Sequence, residues 1–287
     1  MQQRKLAFIG AGNMSRSIIS GLIHSGYDSA HILASNPTAP RLEKLEEEFG
    51  IQTTQSNDDA CAFADAIVLS VKPQVMGDMC KALRENNDLE GKLFISIAAG
   101  LPVSRLKEML GGDYPVVRVM PNTPSLLGKG MSGLYADESI SDEDRQYVED
   151  MMNGVGETVW AENEDDINGV IAAAGSSPAY FFLFLQAMQE EAMNMGFDKD
   201  AARLMVQQAM LGAAEMVCNN PDLELSELRA QVTSKGGTTA AAVNTLIDEG
   251  LSDTVAPAFL RALYRGPIAI PSRIREALAL GPAGAWR

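Results

Sequence analysis

The hydrophobic and polar positions follow different patterns in the two parts of the chain. Up to about Trp160, short β-rich apolar runs alternate with segments that have the spacing of amphipathic helices. The runs are KLAFIG, HILAS, AIVLSV, LFISIA, VVRVM, GLYA and ETVW. Helix-start signals fall between them, because Pro40 and Pro73 suit a first turn and Ser141 with Asp144 has capping-box spacing. This alternation predicts a parallel sheet covered by helices.

After about Asp165 the strand pattern disappears, and long segments rich in Ala, Met and Leu predict an all-helical second part. Breaks are expected at 196–198, 219–221 and 233–238. Between 198 and 218, apolar residues at spacings of three and four form one helical face, namely Ala202, Met205, Val206, Ala209, Met210, Ala213 and Val217. Such a stripe usually faces a core, although a second subunit is the alternative partner for some of these helices.

The most apolar stretch, AYFFLFLQAM, begins at Ala179. A small-residue segment at 175–178 precedes it, and Glu190 and Glu191 follow it. Its length is about half of the roughly 20 residues that a membrane span needs. We therefore predict a buried helix and no membrane partner.

The composition excludes several classes of protein. A length of 287 residues with 46% hydrophobic content allows a large core, and the formal net charge of −15 opposes binding to nucleic acid. Cys61, Cys80 and Cys218 lack C-x-x-C spacing, which favours reduced thiols with packing roles, and no metal site is expected. The N-terminal apolar run is too short for a signal peptide, so a cytoplasmic protein is expected.

A glycine-rich turn follows the first apolar run and opens a helical segment. Its sequence, GAGNMS from Gly10 to Ser15, has the G-x-G-x-x-small spacing of a dinucleotide-binding turn. Gly10 permits the tight turn, and Gly12 lets a pyrophosphate approach the backbone. The alternative is a purely structural turn. The context favours nucleotide binding and predicts an α/β Rossmann-type domain at 1–163, followed by a second, all-α domain at 164–287, with the active cleft near a hinge at 161–166.

The end of the second apolar run bears on the choice of cofactor. An NAD enzyme usually offers an acid there to the ribose hydroxyls, but this chain reads ASNPT at 34–38 and has no acid before Glu43. Ser35, Asn36 and Thr38 could donate hydrogen bonds to a 2′-phosphate, and Arg41 could neutralise it. NADP(H) is favoured, with NAD(H) as the alternative.

The catalytic base of a hydroxy-acid dehydrogenase is missing from the expected places. His24 and His31 belong to the first helix and the entry of the second strand, so neither faces the strands' carboxyl ends. No lysine occurs between Thr158 and Met195, where 3-hydroxyacid dehydrogenases place one. A protonated imine is already electrophilic, so the absence of a base favours imine reduction.

A second glycine-rich loop, 230–239, runs into the N-terminus of a helix, which is a place that binds anions. Free N–H groups at 236–239 and the hydroxyls of Ser234, Thr238 and Thr239 could hold a carboxylate. Ordinary helix capping by Thr238 or Thr239 is the alternative.

Taken together, FIGAGNM, SVKPQ, SIAAG, RVMPNTP, GSSPAY and VTSKGGTT occur in the order and spacing of the pyrroline-5-carboxylate reductase family, which the chain resembles from about residue 6 to 250. The resemblance implies reduction of (S)-1-pyrroline-5-carboxylate to L-proline, the last step of proline biosynthesis, by NADPH or NADH. It also implies a homodimer or a ring of dimers. The alternatives are a reductase of another cyclic imino acid and a non-catalytic NADP-binding protein.

The resemblance also implies roles for individual residues. It assigns cofactor binding to Ile9, Gly10, Ala11, Gly12, Asn13, Met14, Ser35, Asn36, Pro37, Asn57, Ser70, Val71, Lys72, Pro73, Ile97, Ala98, Ala99 and Asn122. It assigns the substrate carboxylate to Ser234, Gly236, Gly237, Thr238 and Thr239. Thr239 is then nearest the ring nitrogen and is the catalytic proton donor.

The chain departs from the family's pattern at several positions. Ser15 replaces Ala or Gly, Ala174 replaces Ser, and Lys235 stands where Pro is frequent. The tail at 264–287 is unlike the usual charged terminal helix and is expected to affect assembly.

Overall fold

A computed structural model describes residues 3–263. The chain divides into two compact units between Ser176 and Ser177, whereas the sequence placed the boundary at 163/164. The reason for the difference is that α7 (Asp166–Val170) and a π-helical turn (Ile171–Gly175) pack against the last part of the sheet in the first unit. The tail, with its expected effect on assembly, lies outside the described residues.

The first unit contains an eight-stranded sheet. Its strands are β1 (Leu6–Ile9), β2 (Ile32–Ser35), β3 (Gln52–Thr54), β4 (Ala66–Leu69), β5 (Leu93–Ser96), β6 (Val116–Met120), β7 (Gly130–Ala136) and β8 (Gly156–Trp160). The spatial order is β3-β2-β1-β4-β5-β6-β7-β8, and the predicted Rossmann-type fold is confirmed.

Two details of the sheet differ from the prediction. β7 pairs with β6 in the antiparallel sense, because the connection from Met120 to Gly130 is a short 3₁₀ turn and a parallel return needs a crossover of about a dozen residues. β3 was not predicted, since its three residues are polar or partly exposed at the sheet edge and carry no apolar run.

Helices cover both faces of the sheet. They are α1 (Asn13–His24), α2 (Ala39–Phe49), α3 (Asn57–Phe63), α4 (Pro73–Asn86), α5 (Val103–Leu110) and α6 (Asp142–Asn153). One core packs α1, α2 and α6 against Leu6 and Phe8, and the other packs α3, α4 and α5 against Ala7 and Ile9. Successive residues of a strand point to opposite faces of the sheet. Because helices cover both faces, each inner strand is a continuous apolar run in the sequence.

The predicted helix starts and cysteine roles are confirmed in this unit. Pro40 and Pro73 lie in the first turns of α2 and α4, and Ser141 Oγ accepts a 3.1 Å hydrogen bond from the backbone N–H of Asp144. Cys61 and Cys80 are free and buried, and burial raises the pKa of the Cys80 thiol to about 11. Cys80 therefore stays protonated at neutral pH.

The second unit is helical, as predicted. Its described helices are α8 (Ser177–Asn194), α9 (Lys199–Cys218), α10 (Leu225–Gln231), α11 (Thr238–Asp248) and α12 (Leu251–Leu263). Asp198 caps α9 through hydrogen bonds to its oxygen from the N–H groups of Asp200 and Ala201. The breaks after α8, α9 and α10 fall at the predicted segments 196–198, 219–221 and 233–238, whereas the break at Glu249 and Gly250 between α11 and α12 was not predicted.

The prediction that AYFFLFLQAM is buried within its own chain is wrong. Phe182 and Leu183 are 65% and 68% exposed, and the continuous helical stretch Asp166–Asn194 is long and apolar enough to cross a membrane by length and composition alone. The apolar face predicted for α9 is also largely exposed. Ala202 and Val206 are buried, but Met205 and Val217 are exposed. So large an apolar surface is typical of an interaction site.

Candidate functional site

The strand order reverses between β1 and β4, which is where open α/β sheets bind ligands. The turn after β1 lies at this point. Gly10 has φ +111°, and its N–H donates to Ser35 O at 2.9 Å. Ser70 Oγ, at the end of β4, lies 2.8 Å from the carbonyl oxygens of Ile9 and Gly10. The ends of three strands thus hold the turn in place.

The two glycines of the turn have different surroundings. A Cβ added at Gly10 would lie 2.8 Å from Ser70 O, so the backbone leaves no room for a side chain. A Cβ added at Gly12 would meet nothing within 4 Å, and Gly12 is the N-cap residue of α1, which has no side-chain cap. The open space above uncapped N–H groups fits a phosphate, which helix N-termini bind through those groups.

Ser15, the departure in the third small position, has a structural explanation. Its side chain is buried and its Oγ donates a 2.7 Å hydrogen bond to Gly10 O. The hydroxyl therefore braces the turn from inside while remaining small enough for α1 to pack closely.

The residues predicted for the adenosine end lie together after β2. Ser35 Oγ donates to Asn57 Oδ1 at 2.8 Å, and Asn36 Nδ2 donates to the carbonyl and hydroxyl oxygens of Thr38 at 3.0 and 2.9 Å. Ser35 and Asn36 are buried, whereas Pro37 is exposed. The two buried side chains shape the loop, and no carboxylate occupies the end of β2.

A pocket of about 660 Å³ lies beside the turn, between α1 and α2. Its lining includes Ala11, Gly12 and Asn13 together with the charged residues Arg16, Arg41, Lys44, Glu47 and Glu48. Sequence reasoning missed Arg16 and Lys44. The signal available was the i, i+3 spacing of Arg41 and Lys44, which places both cations on one face of a helix.

The residues predicted near the nicotinamide follow β4, β5 and β6. Val71 and Lys72 lead into α4, which begins at Pro73, and Ile97, Ala98 and Ala99 follow β5. The N–H of Ile97 donates to Leu69 O at 3.2 Å, and that of Ala98 to Ser96 Oγ at 3.4 Å. All of these positions are at the carboxyl edge of the sheet.

Asn122, after β6, is buried and bonded within the first unit. Its Nδ2 donates to Ala174 O at 3.0 Å, and its Oδ1 accepts from the N–H of Met131 at 2.9 Å. The side chain therefore ties β6 to β7 and to the π-helical turn, and one N–H of its amide is left for any cofactor contact.

The loop before α11 belongs to the second unit. The N–H of Gly237 donates to Ser234 O at 3.0 Å, and Gly236 has φ +74°, so the backbone turns sharply here. α11 begins at Thr238 with Gly237 in the N-cap position and no side-chain cap, so neither threonine is the N-cap residue. Ser234, Gly236, Thr238 and Thr239 are exposed, and the first N–H groups of α11 have no side-chain cap.

The histidines are placed as predicted. His24 is the exposed last residue of α1, with Nδ1 2.7 Å from Ser20 O, and His31 directly precedes β2. Both are therefore away from the carboxyl ends of the strands.

Comparison with known proteins gives matches for both the sheet-containing part and the helical part of the chain. A family model described as pyrroline-5-carboxylate reductase dimerisation matches residues 164–266, and one described as NADP oxidoreductase coenzyme F420-dependent matches residues 5–100. The solved structure of a pyrroline-5-carboxylate reductase from Coxiella burnetii superposes with a TM-score of 0.87 at 36% identity, over 96% of this chain and 98% of that one. A Plasmodium falciparum pyrroline carboxylate reductase with NADP bound has a TM-score of 0.80 at 28% identity, over 92% and 97%.

A curated relative extends the likeness in sequence. The pyrroline-5-carboxylate reductase of Vibrio alginolyticus is 55% identical over 265 residues, which are 92% of this chain and 97% of the relative. Identity at that level over nearly the whole of both chains shows that this protein belongs to the pyrroline-5-carboxylate reductase family of oxidoreductases.

Proposed function

We propose that this protein reduces (S)-1-pyrroline-5-carboxylate to L-proline, the last step of proline biosynthesis, with NADPH as the preferred hydride donor. The observation that carries the proposal is the 55% identity, over nearly the whole of both chains, to a protein named pyrroline-5-carboxylate reductase. The glycine turn at the switch point and the uncapped helix after the 230–239 loop support it, since the reaction needs a dinucleotide site and a carboxylate site.

The cofactor proposal rests on the first unit. Gly12 leaves open space above the first N–H groups of α1, which suits a pyrophosphate. The end of β2 offers Ser35 and Asn36 instead of an acid, so nothing there repels a 2′-phosphate. The dinucleotide residues inferred from the sequence remain our proposal for this site, with NADH as a weaker alternative donor.

The substrate proposal rests on the loop of the second unit. The N–H groups at the start of α11 and the Ser234 hydroxyl would hold the carboxylate, because an anion is favoured at a helix N-terminus. A ring held by its carboxylate is fixed in orientation. We assign this role to Ser234, Gly236, Gly237, Thr238 and Thr239.

NADPH, when bound, supplies a hydride to the carbon of the C=N bond. The ring nitrogen gains the electron pair of that bond and must hold a proton. We assign the proton donor role to the Thr239 hydroxyl, which belongs to an exposed residue in the first turn of α11. No catalytic base is needed, because the reduction adds a proton to the ring nitrogen and removes none from the substrate.

The assembly proposed is a homodimer or a ring of dimers built by the helical second unit. The dimerisation family model and the exposed apolar faces of α8 and α9 support this role. We interpret the apolar stretch at 166–194 as subunit contact surface and not as a membrane span. The acidic net charge favours a soluble cytoplasmic protein without a nucleic-acid partner.

The test follows NADPH absorbance with pyrroline-5-carboxylate. We expect Thr239→Ala to lower kcat by about a hundredfold, as for loss of a general acid, while Thr239→Ser retains most of the rate. Thr238→Ala is the matched control, because it removes the neighbouring hydroxyl, and its main effect should be on KM.

Three outcomes would count against parts of the proposal. Faster turnover of a six-membered cyclic imine would identify a reductase of another imino acid. Tight NADPH binding without turnover of either ring would indicate a non-catalytic NADP-binding protein. Full activity of Thr239→Ala would remove the proton donor role from that hydroxyl.

A further inference from the structure

Two of the loops proposed to border the nicotinamide are held by one segment of the first unit. The segment, 164–174, contains α7 and most of the π-helical turn. Glu164, at its start, accepts a 2.7 Å hydrogen bond from the N–H of Val103, where the loop after β5 meets α5. Ala174, at its end, accepts a 3.0 Å hydrogen bond from Nδ2 of Asn122, after β6. Both loops are therefore tied to one support.

The contact at Val103 takes the place of a local helix cap. α5 begins at Val103 with Pro102 in the N-cap position, and a proline side chain has no acceptor atom. Glu164, 61 residues further along the chain, supplies the acceptor, and its negative charge suits the positive end of a helix. The far end of the loop 97–102 is thus fixed by a residue that is distant in sequence.

The carboxylate of Glu164 is itself held by a buried cation. Its Oε1 also accepts a 3.3 Å hydrogen bond from Nη1 of Arg118 on β6, and Arg118 is only 5% exposed. Arg118 is the neighbour of Ser96, the last residue of β5, so the pair joins the strand and the helix on either side of the loop 97–102. Moving Glu164 would leave a buried guanidinium without this counter-charge, which is costly.

The middle of the same loop has little support of its own. Ala99 and Gly100 are exposed, and a Cβ added at Gly100 would meet nothing within 4 Å. A segment with few packed contacts moves more easily than the elements around it. The place of Ala99 beside a bound nicotinamide therefore depends on how the two ends of the loop are held.

We propose that Glu164 is a positioning residue for hydride transfer, because it holds the start of α5 against β6 and so keeps the loop 97–102 at the nicotinamide. The inference deepens the proposed function and rests on it. Reacting atoms must lie about 3–3.5 Å apart and aligned, so a loop shift of about 1 Å lowers the rate strongly. The pyrophosphate contacts at the glycine turn are untouched by such a shift. Loss of Glu164 therefore lowers kcat and leaves the affinity for NADPH almost unchanged.

The test compares Glu164→Ala with Glu164→Gln in the full chain. Alanine removes both hydrogen bonds, whereas glutamine keeps an acceptor oxygen for Val103 and loses the charge that faces Arg118. We expect the single-turnover rate constant for oxidation of NADPH by pyrroline-5-carboxylate to fall by about tenfold in Glu164→Ala and about threefold in Glu164→Gln. The Kd for NADPH should change by less than about twofold, because most of its binding energy comes from other contacts.

The control and the isotope effect separate positioning from stability. Glu162→Gln removes an exposed carboxylate two residues away and should change neither the rate constant nor Kd. Replacing the transferred hydrogen of NADPH by deuterium should give a larger isotope effect on kcat in Glu164→Ala than in wild type, because hydride transfer then limits turnover. A purely structural role would lower the amplitude of the single turnover through loss of folded protein, but not its rate constant.

A second measurement needs no turnover. Time-resolved fluorescence anisotropy of bound NADPH reports the motion of the nicotinamide ring, and we expect Glu164→Ala to add a fast decay that wild type and Glu162→Gln lack. If Glu164→Ala does not fold, Glu164→Gln carries both measurements. Wild-type rate constant and anisotropy in the Glu164 variants would overturn the inference, as would a loss of NADPH affinity as large as the loss of rate.

Failure of the proposed function is a separate result. A wild-type protein that binds NADPH but does not turn over pyrroline-5-carboxylate refutes that function alone, and the anisotropy measurement then decides the role of Glu164. A wild-type protein that does not bind NADPH overturns both.

Discussion

At the residue scale, the two glycines after β1 differ in what they require of the backbone. Gly10 has φ +111°, a region that L side chains rarely adopt, and it faces the carbonyl of Ser70. Gly12 has φ −82°, which any residue adopts, and faces open space. Conformation therefore explains Gly10, and only a bound group explains Gly12.

This difference leads to opposite expectations for two substitutions. Gly10→Ala should lower the free energy of unfolding by about 2 kcal/mol or more, because strain and a backbone contact coincide. Gly12→Val should change it by no more than about 1 kcal/mol but abolish NADPH binding, because its side chain fills the phosphate space. Urea unfolding and calorimetric titration measure the two effects. Unimpaired NADPH binding by Gly12→Val would show that the turn is only structural.

At the element scale, one carboxylate joins three segments of the first unit. Glu164 Oε1 accepts 2.7 Å from the N–H of Val103, at the start of α5, and 3.3 Å from Nη1 of Arg118 on β6. Arg118 is only 5% exposed, so its charge has little contact with water. Because α5 follows the loop proposed to border the nicotinamide, this contact also fixes that loop.

We expect Glu164→Gln to lower the free energy of unfolding by about 1–3 kcal/mol, because a buried guanidinium loses its counter-charge. Glu162→Gln removes an exposed carboxylate two residues away and should have almost no effect. Adding Arg118→Leu to Glu164→Gln tests the coupling, since the second change then costs less than it does alone. If chemical denaturation shows that the loss of unfolding free energy in the double variant equals the sum of the losses in the two single variants, the two charges do not interact.

At the scale of the whole molecule, much of the apolar surface of the helical unit stays exposed in the single chain. Phe182 and Leu183 on α8 are more than half exposed, and a dimerisation family model spans this region. Burial of such residues against another subunit removes them from water, and this hydrophobic gain drives association.

Placing a charge in that surface should therefore disrupt the assembly. We expect Phe182→Asp to shift the sedimentation coefficient from that of an oligomer to that of a monomer, because an unpaired carboxylate would be buried in the interface. Lys81→Asp, on the exposed surface of α4, changes the charge without this effect. An unchanged oligomer for Phe182→Asp would place the interface elsewhere.

The sequence by itself determined the features that depend on residues close together in the chain. Alternating apolar runs predicted seven of the eight strands, Ser141 and the prolines predicted helix starts, and GAGNMS predicted the turn at the end of β1. Each of these is a local preference of the backbone for one conformation. The family resemblance added the particular substrate and the roles of individual residues, which no local pattern carries.

The tertiary structure alone decided which distant groups meet and which apolar residues stay uncovered. Arg118 and Glu164 are 46 residues apart, Arg16 and Glu48 are 32 apart, and the three-residue β3 has no apolar run to reveal it. A helix that is apolar on every side reads the same whether its own chain or another subunit covers it, which is why the burial predicted for α8 was wrong. The spacing of hydrophobic residues indicates which side chains are shielded from water, but the packing of the whole chain decides what covers them.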